Sequence, residues 1–122
     1  MLFRSLYGRG APRLLQQVRD GRVTDPHRWT NRIHRADAAA AVVHLLTMAE
    51  SPGPLYVGTD DEPAQLGDVA AHLAAQLVDE DVPVPPTADP AHGHGKVLSN
   101  ALLRSTGWEP HHRTFREGYV LA

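Results

Sequence analysis

The chain opens on a short apolar run, Leu2 to Leu6, whose length and composition predict a strand. Pro12 suits the first turn of a helix. Leu14, Leu15 and Val18 then recur on one face, and Gly21 is placed to end that helix. Residues 22–30 are polar and loop-like, and Asn31 to His34 reads as a short extended piece. Ala38 to Met48 is rich in strong helix formers, with an apolar face at Ala41, Leu45 and Met48, and Asp37 lies near its start as a cap or first-turn anion. The prolines of "SPGP" stop this helix. "LYVG" (Leu55–Gly58) is a compact β-type run, and "TDDEP" predicts a solvated acidic turn that favours the next helix N-terminus. Leu66, Val69, Ala70, Leu73 and Leu77 carry helical spacing. Residues 79–96, rich in proline and glycine, predict a long loop. Ser99 is placed to cap a short helix, Asn100–Thr106, which Gly107 ends, and "FREGYVLA" allows a last helical turn or two. Strands and helices alternate, which predicts an α/β domain.

Composition narrows what such a domain can do. Its 122 residues fit one domain, spanning 1–122. The formal net charge of −2 supplies no basic field for a nucleic acid backbone. No cysteine is present, which removes disulfides, thiol nucleophiles and cysteine-based metal sites together and is compatible with the cytoplasm. The longest apolar stretch, "ADAAAAVVHLL", is too short and too polar to span a bilayer, so a cytoplasmic, membrane-free protein is expected. Only Lys96 among the twelve basic residues is a lysine.

Gly8-x-Gly10 between a strand and a helix is how a dinucleotide-binding loop begins, but the third glycine position holds Arg13, and Asp25 lies in a proline-flanked loop rather than at a strand end. "HGHGK" has a P-loop ending, but Pro90 stands where the first glycine is needed. The Tyr-x-x-x-Lys pair of short-chain dehydrogenases cannot be built: Ala11 and Asp60 lie four residues after Tyr7 and Tyr56, and the chain ends before that position for Tyr119. The eight histidines lack metal-ligand spacing, so hydrogen-bonded or solvated side chains are expected, with no metal. "NRIHRAD" is the densest polar stretch beside a strand, and strand ends of open α/β sheets are where ligands bind. There Asp37 is expected to cap its helix, Arg32 or His34 pairing with it; ligand contact by Arg32 or His34 is the functional alternative.

Five segments in order resemble the C-terminal portion of an NAD-dependent epimerase/dehydratase of the extended short-chain dehydrogenase/reductase superfamily. They are "YGRG" (Tyr7–Gly10), "RIHRADAAAAVVHLL", "GPLYVGTDDEP" (Gly53–Pro63), "SNALLRSTGWEP" (Ser99–Pro110) and "FREG" (Phe115–Gly118). Arg9 stands where the family's Y-G-P-G turn has proline, and Asn31 where sugar-nucleotide enzymes often carry an arginine.

The resemblance implies an incomplete Rossmann-type fold: the last sheet strands plus the small helical substrate-binding subdomain, without the N-terminal cofactor-binding part. NAD(P) is implied for the complete fold and no cofactor-binding residue for this chain. It also implies a substrate-binding role, not catalytically competent alone, for a sugar-nucleotide epimerase/dehydratase or related oxidoreductase. A small anionic substrate would meet Arg9 and Arg32 through bidentate contacts, with His34 hydrogen-bonding or supporting and Tyr7 lining the pocket. No catalytic residue is assigned. The alternative is a non-catalytic interaction module or an enzyme remnant, in which an uncovered sheet edge pairs with a second copy or a partner chain.

Overall fold

The computed structural model describes residues 1–3, 5–8, 12–53 and 55–121. The opening run forms two short strands, β1 (Leu2–Phe3) and β2 (Leu6–Tyr7), separated by a bend in which Ser5 takes a φ of 40°. The bend sends one segment to two partners. β1 pairs in parallel with β5 (Val57–Gly58), and β2 pairs in parallel with β4 (Ile33–His34). A third ladder is antiparallel and joins β3 (Trp29–Thr30) to β6 (Ala64–Gln65). The protein is therefore α/β, with parallel strands connected through helices, as the alternation of elements predicts.

The helices are α1 (Pro12–Arg19), α2 (Arg35–Thr47), α3 (Leu66–Gln76), α4 (Ala101–Arg104) and α5 (Phe115–Gly118). α1 ends as its sequence predicts. Gly21 takes a φ of 65°, and the Arg22 amide donates back to the Gln17 carbonyl at 2.9 Å. α2 starts earlier than expected: His34 is its cap, with Nδ1 accepting the Ala36 amide at 3.1 Å. α4 is shorter than Asn100–Thr106; its cap position is Asn100, while the Ser99 hydroxyl accepts the Ala101 amide at 3.1 Å.

Two apolar clusters hold these elements together. One gathers Tyr7, Val18, Val69, Leu73, Phe115 and Tyr119, so α1 and α3 pack on β2 and on the chain's last helix. The other gathers Ile33, Ala38, Ala41, Tyr56, Leu103 and Trp108 under α2 and α4. Residues 79–96 form an ordered excursion containing a 3₁₀ turn, Pro90–His92. It is tied down where the Trp29 amide donates to the His94 carbonyl at 2.7 Å and the His94 amide to the His27 carbonyl at 3.1 Å. No helix among the described residues is long and apolar enough to cross a membrane.

Candidate functional site

The segment joining β3 to β4 carries the polar residues of interest. Thr30, Asn31 and Arg32 are all buried, although nothing in their composition demands it. Each has a distinct structural reason. Thr30 donates its hydroxyl to the Ala64 carbonyl at 2.7 Å. Asn31 clamps the end of the long excursion: its amide donates to the Lys96 carbonyl at 2.9 Å and its oxygen accepts the Leu98 amide at 2.8 Å. Arg32 is 4% exposed, and one guanidinium nitrogen donates to the Thr30 hydroxyl. Its other terminal nitrogen is buried and has no hydrogen-bond partner among the described residues.

A guanidinium kept from water with a free N–H is costly unless something completes it. Arg32 forms part of the wall of an open pocket of about 620 Å³. Arg13, Arg28 and Arg35 line the same pocket, together with Thr30 and Tyr119. Among the described residues no carboxylate lines it. Arg28 has an acidic neighbour, Asp25, at 3.9 Å. Four arginines converging on one recess make a strongly anion-attracting site with planar, multi-donor recognition.

Behind Arg32 lies a buried polar cluster. Asp60 is 2% exposed and its backbone amide donates to the Arg32 carbonyl at 2.7 Å. One Asp60 oxygen accepts the Glu62 amide at 3.0 Å; the other is buried without a partner. Burial pushes the Asp60 carboxyl up to about 7, against the opposing pull of the Glu62 amide and the Arg32 charge. Burial likewise raises the Tyr7 and Tyr119 phenols and lowers the Arg32 guanidinium. Tyr7 stacks on Tyr119 with ring centres 4.3 Å apart.

Within the acidic segment 60–62, Asp60 departs from the solvated turn that composition predicts, while Asp61 stays exposed and Glu62 half-buried. Asp60 is buried, Asp61 pairs with Arg104 at 2.9 Å, and Glu62 pairs with Arg116 at 2.6 Å. Arginines from distant parts of the chain, invisible to local reading, neutralise what looks like a water-facing acidic run.

Asp37 also departs from expectation. It sits in the first turn of α2, but His34 caps the helix, and the Asp37 carboxylate makes its close contacts elsewhere. Its two oxygens accept the backbone amides of His111 and His112 at 2.7 and 2.8 Å, and the His112 ring lies 3.4 Å from it. Neither Arg32 nor His34 pairs with it. The carboxylate therefore clamps the segment after α4 onto the start of α2.

Of the sequence-derived site residues, Arg32 lies in the arginine-lined pocket. Tyr7 is packed in the core next to Tyr119 and donates weakly to the Thr114 carbonyl at 3.4 Å, so it stands behind the pocket rather than among its lining residues. His34 is engaged at the α2 cap and stacks on His112 with ring centres 3.8 Å apart; it too is outside the lining set. Burial and the neighbouring His112 hold the His34 ring below its ordinary range. Arg9 lies outside the described residues. Sequence reading missed Arg13, Arg28, Arg35 and Asp60. The preference for arginine over lysine was the available signal, but its spatial convergence was not.

The remaining histidines are mostly hydrogen-bonded. His44 contacts the Thr106 carbonyl at 3.0 Å, His72 the Tyr119 carbonyl at 3.0 Å, His92 pairs with Asp89 at 2.8 Å and His94 with Asp25 at 2.6 Å.

No family model and no curated protein matches the chain. Solved structures do. One assigned to the NAD-dependent epimerase/dehydratases, from Methylobacillus flagellatus, matches with a TM-score of 0.83 and 32% identity over 96% of this chain and 43% of its own. UDP-glucose 4-epimerase from Thermotoga maritima, solved with UDP-glucose, matches with a TM-score of 0.68 and 13% identity, over 94% of this chain and 41% of its own. RMD from Pseudomonas aeruginosa, solved with NADPH, gives 0.64 and 20% identity over 93% and 42%. The last two identities speak for the fold alone. The chain spans less than half the length of each of these structures. In fold and in sequence, then, it resembles the C-terminal portion of an NAD-dependent epimerase/dehydratase of the extended short-chain dehydrogenase/reductase superfamily.

Proposed function

We propose that these residues form the substrate-binding part of an NAD(P)-dependent epimerase/dehydratase or related oxidoreductase, and that the substrate is a small anion seated in the arginine pocket. The carrying observation is Arg32, buried in the pocket wall with a terminal nitrogen that no group among the described residues satisfies. A phosphate or carboxylate oxygen is the complement such a nitrogen lacks. Sugar nucleotides are the favoured class, because a structural neighbour is a UDP-sugar epimerase solved with its sugar nucleotide. The 122 residues contain neither a G-x-G-x-x-G turn nor a Tyr-x-x-x-Lys pair, so the reading assigns them neither NAD(P) binding nor proton transfer. The compartment that fits a cysteine-free chain of this family is the cytoplasm.

Calorimetric titration with UDP, UDP-glucose and inorganic pyrophosphate tests the reading. Binding is expected to weaken about tenfold or more in Arg32→Ala, since a charge-assisted contact contributes roughly 1.5–3 kcal/mol. Absence of binding by the unaltered protein at millimolar ligand, or equal affinity in Arg32→Ala, would overturn it.

A second reading, an interaction module, is favoured by one observation. The outer face of α2 leaves Val42, Val43 and Leu46 exposed, Leu46 at 80%, and Leu2 and Leu6 are exposed in the parallel strands. Parallel strands are ordinarily covered on both faces. Light scattering after size exclusion tests this reading: a dimer or larger species supports it, and a monomer across micromolar concentrations opposes it.

A further inference from the structure

We propose that Asp60 is the charge switch of the arginine pocket: neutral Asp60 leaves Arg32 free to take an anion, and ionised Asp60 competes with that anion for the same guanidinium. The inference rests on the reading of the pocket as an anion site and concerns how that site is regulated.

Three observations carry it. Asp60 and Arg32 are held adjacent through the backbone, the Asp60 amide donating to the Arg32 carbonyl at 2.7 Å. Both side chains are buried and both are incomplete: one Asp60 oxygen and one Arg32 nitrogen lack a partner among the described residues. The two make no direct ion pair at 4.0 Å or less. A buried carboxyl and a buried guanidinium that do not contact each other leave the cation's remaining donor available to a third group, and the pocket that Arg32 lines gives such a group a way in.

The surroundings isolate Asp60 as the titrating member. From its own segment it faces Asp61 and Glu62, which are held by Arg104 and Arg116. From β2 it faces Tyr7, and Tyr119 near the chain's end acts on Arg32; burial keeps both phenols neutral through the physiological range. Asp37 of α2 acts on Tyr7 but is engaged with the amides of His111 and His112. Arg28 acts on Arg32 from the pocket rim. Among the described residues no histidine lines the pocket. The carboxyl itself is poised near neutrality, at about 7. An anion arriving at Arg32 adds negative charge beside Asp60 and draws a proton onto it; by reciprocity, a proton on Asp60 tightens the anion. Binding therefore strengthens as pH falls through neutrality, with uptake of up to one proton.

Sulfate is the probe, because its charge is constant from pH 6 to 8, whereas phosphate gains charge over that range and would mask the effect. Calorimetric titration is run at pH 6, 7 and 8, and the pH 7 titration is repeated in imidazole and in Bis-Tris, amine buffers whose charged forms are cations and do not compete for the pocket. The expected result is a dissociation constant that rises about 3- to 10-fold from pH 6 to pH 8, with heats that differ between the buffers by the ionisation of a fraction of a proton per sulfate. Asp60→Asn is expected to bind at pH 8 as tightly as the unaltered protein does at pH 6, with no proton uptake. Sulfate binding that depends on Arg32 but is flat in pH, with equal heats in both buffers, would sink the switch and leave the pocket standing. Sulfate binding unaffected by Arg32→Ala, or no binding at all, would remove the pocket reading and the switch together. Should Asp60→Asn fail to fold, the buffer comparison on the unaltered protein still decides.

Discussion

Replacing Asp37 distinguishes two roles whose magnitudes differ. A carboxylate in the first turn of α2 that merely favours the helix dipole contributes about 0.3–1 kcal/mol. The structure gives it more to do. Asp37 is 3% exposed and accepts two backbone amides, from His111 at 2.7 Å and His112 at 2.8 Å. Each hydrogen bond to a charged group contributes about 1.5–3 kcal/mol, and a donor left unsatisfied costs about 1–3 kcal/mol. Those amides are partly exposed and regain some water, so the loss for Asp37→Ala is expected at about 2–4 kcal/mol. For a chain of this size that corresponds to a fall in Tm of roughly 10–15 °C. Asp37→Asn keeps one acceptor oxygen and turns its amide toward a donor, so it should fall between Ala and the unaltered protein. Urea denaturation followed by circular dichroism is the assay, with the midpoint compared at constant slope. A loss below about 0.5 kcal/mol for Asp37→Ala, or a loss abolished by 1 M salt, would refute the clamp and restore a helix-dipole role.

Gly118→Ala is expected to destabilise by about 1–3 kcal/mol or more, because its added carbon would fall 1.8 Å from the buried Tyr7 hydroxyl; thermal denaturation of the variant checks it. Stability should also report Asp60. Its carboxyl is raised to about 7 in the folded protein against 3.8 for an ordinary aspartate, so the folded state binds the extra proton between those values. Stability is penalised above pH 7, and the penalty is relieved as pH falls toward 4, with an upper bound of about 4 kcal/mol. Asp60→Asn should therefore stabilise at pH 8 and have little effect near pH 4, as measured by urea unfolding at both pH values. Glu80→Ala, which removes the exposed pair with Arg19 at 3.0 Å, should cost less than about 1 kcal/mol by the same assay.

Periodicity and punctuation alone determined much of the architecture. The spacing of Leu66, Val69, Ala70 and Leu73 marks the buried face of α3, since a helix repeats its core contacts every 3.6 residues. Gly21 marks the end of α1 because it takes a positive φ that other residues resist, whereas α4 stops at Arg104, short of Gly107. Arg32 was legible as a candidate because it lies beside a strand end. What the sequence could not supply was partnership across the fold. Asp37 reads as a cap until residues 111–112 come to it, and Asp60 reads as solvated until Arg104 and Arg116 neutralise its neighbours and the core closes over it. The pocket itself is made by arginines from α1, α2 and the β3 segment. Local propensities act over a few residues, whereas burial and charge pairing are set by which distant segments the packed chain brings together, and only the tertiary structure decides that.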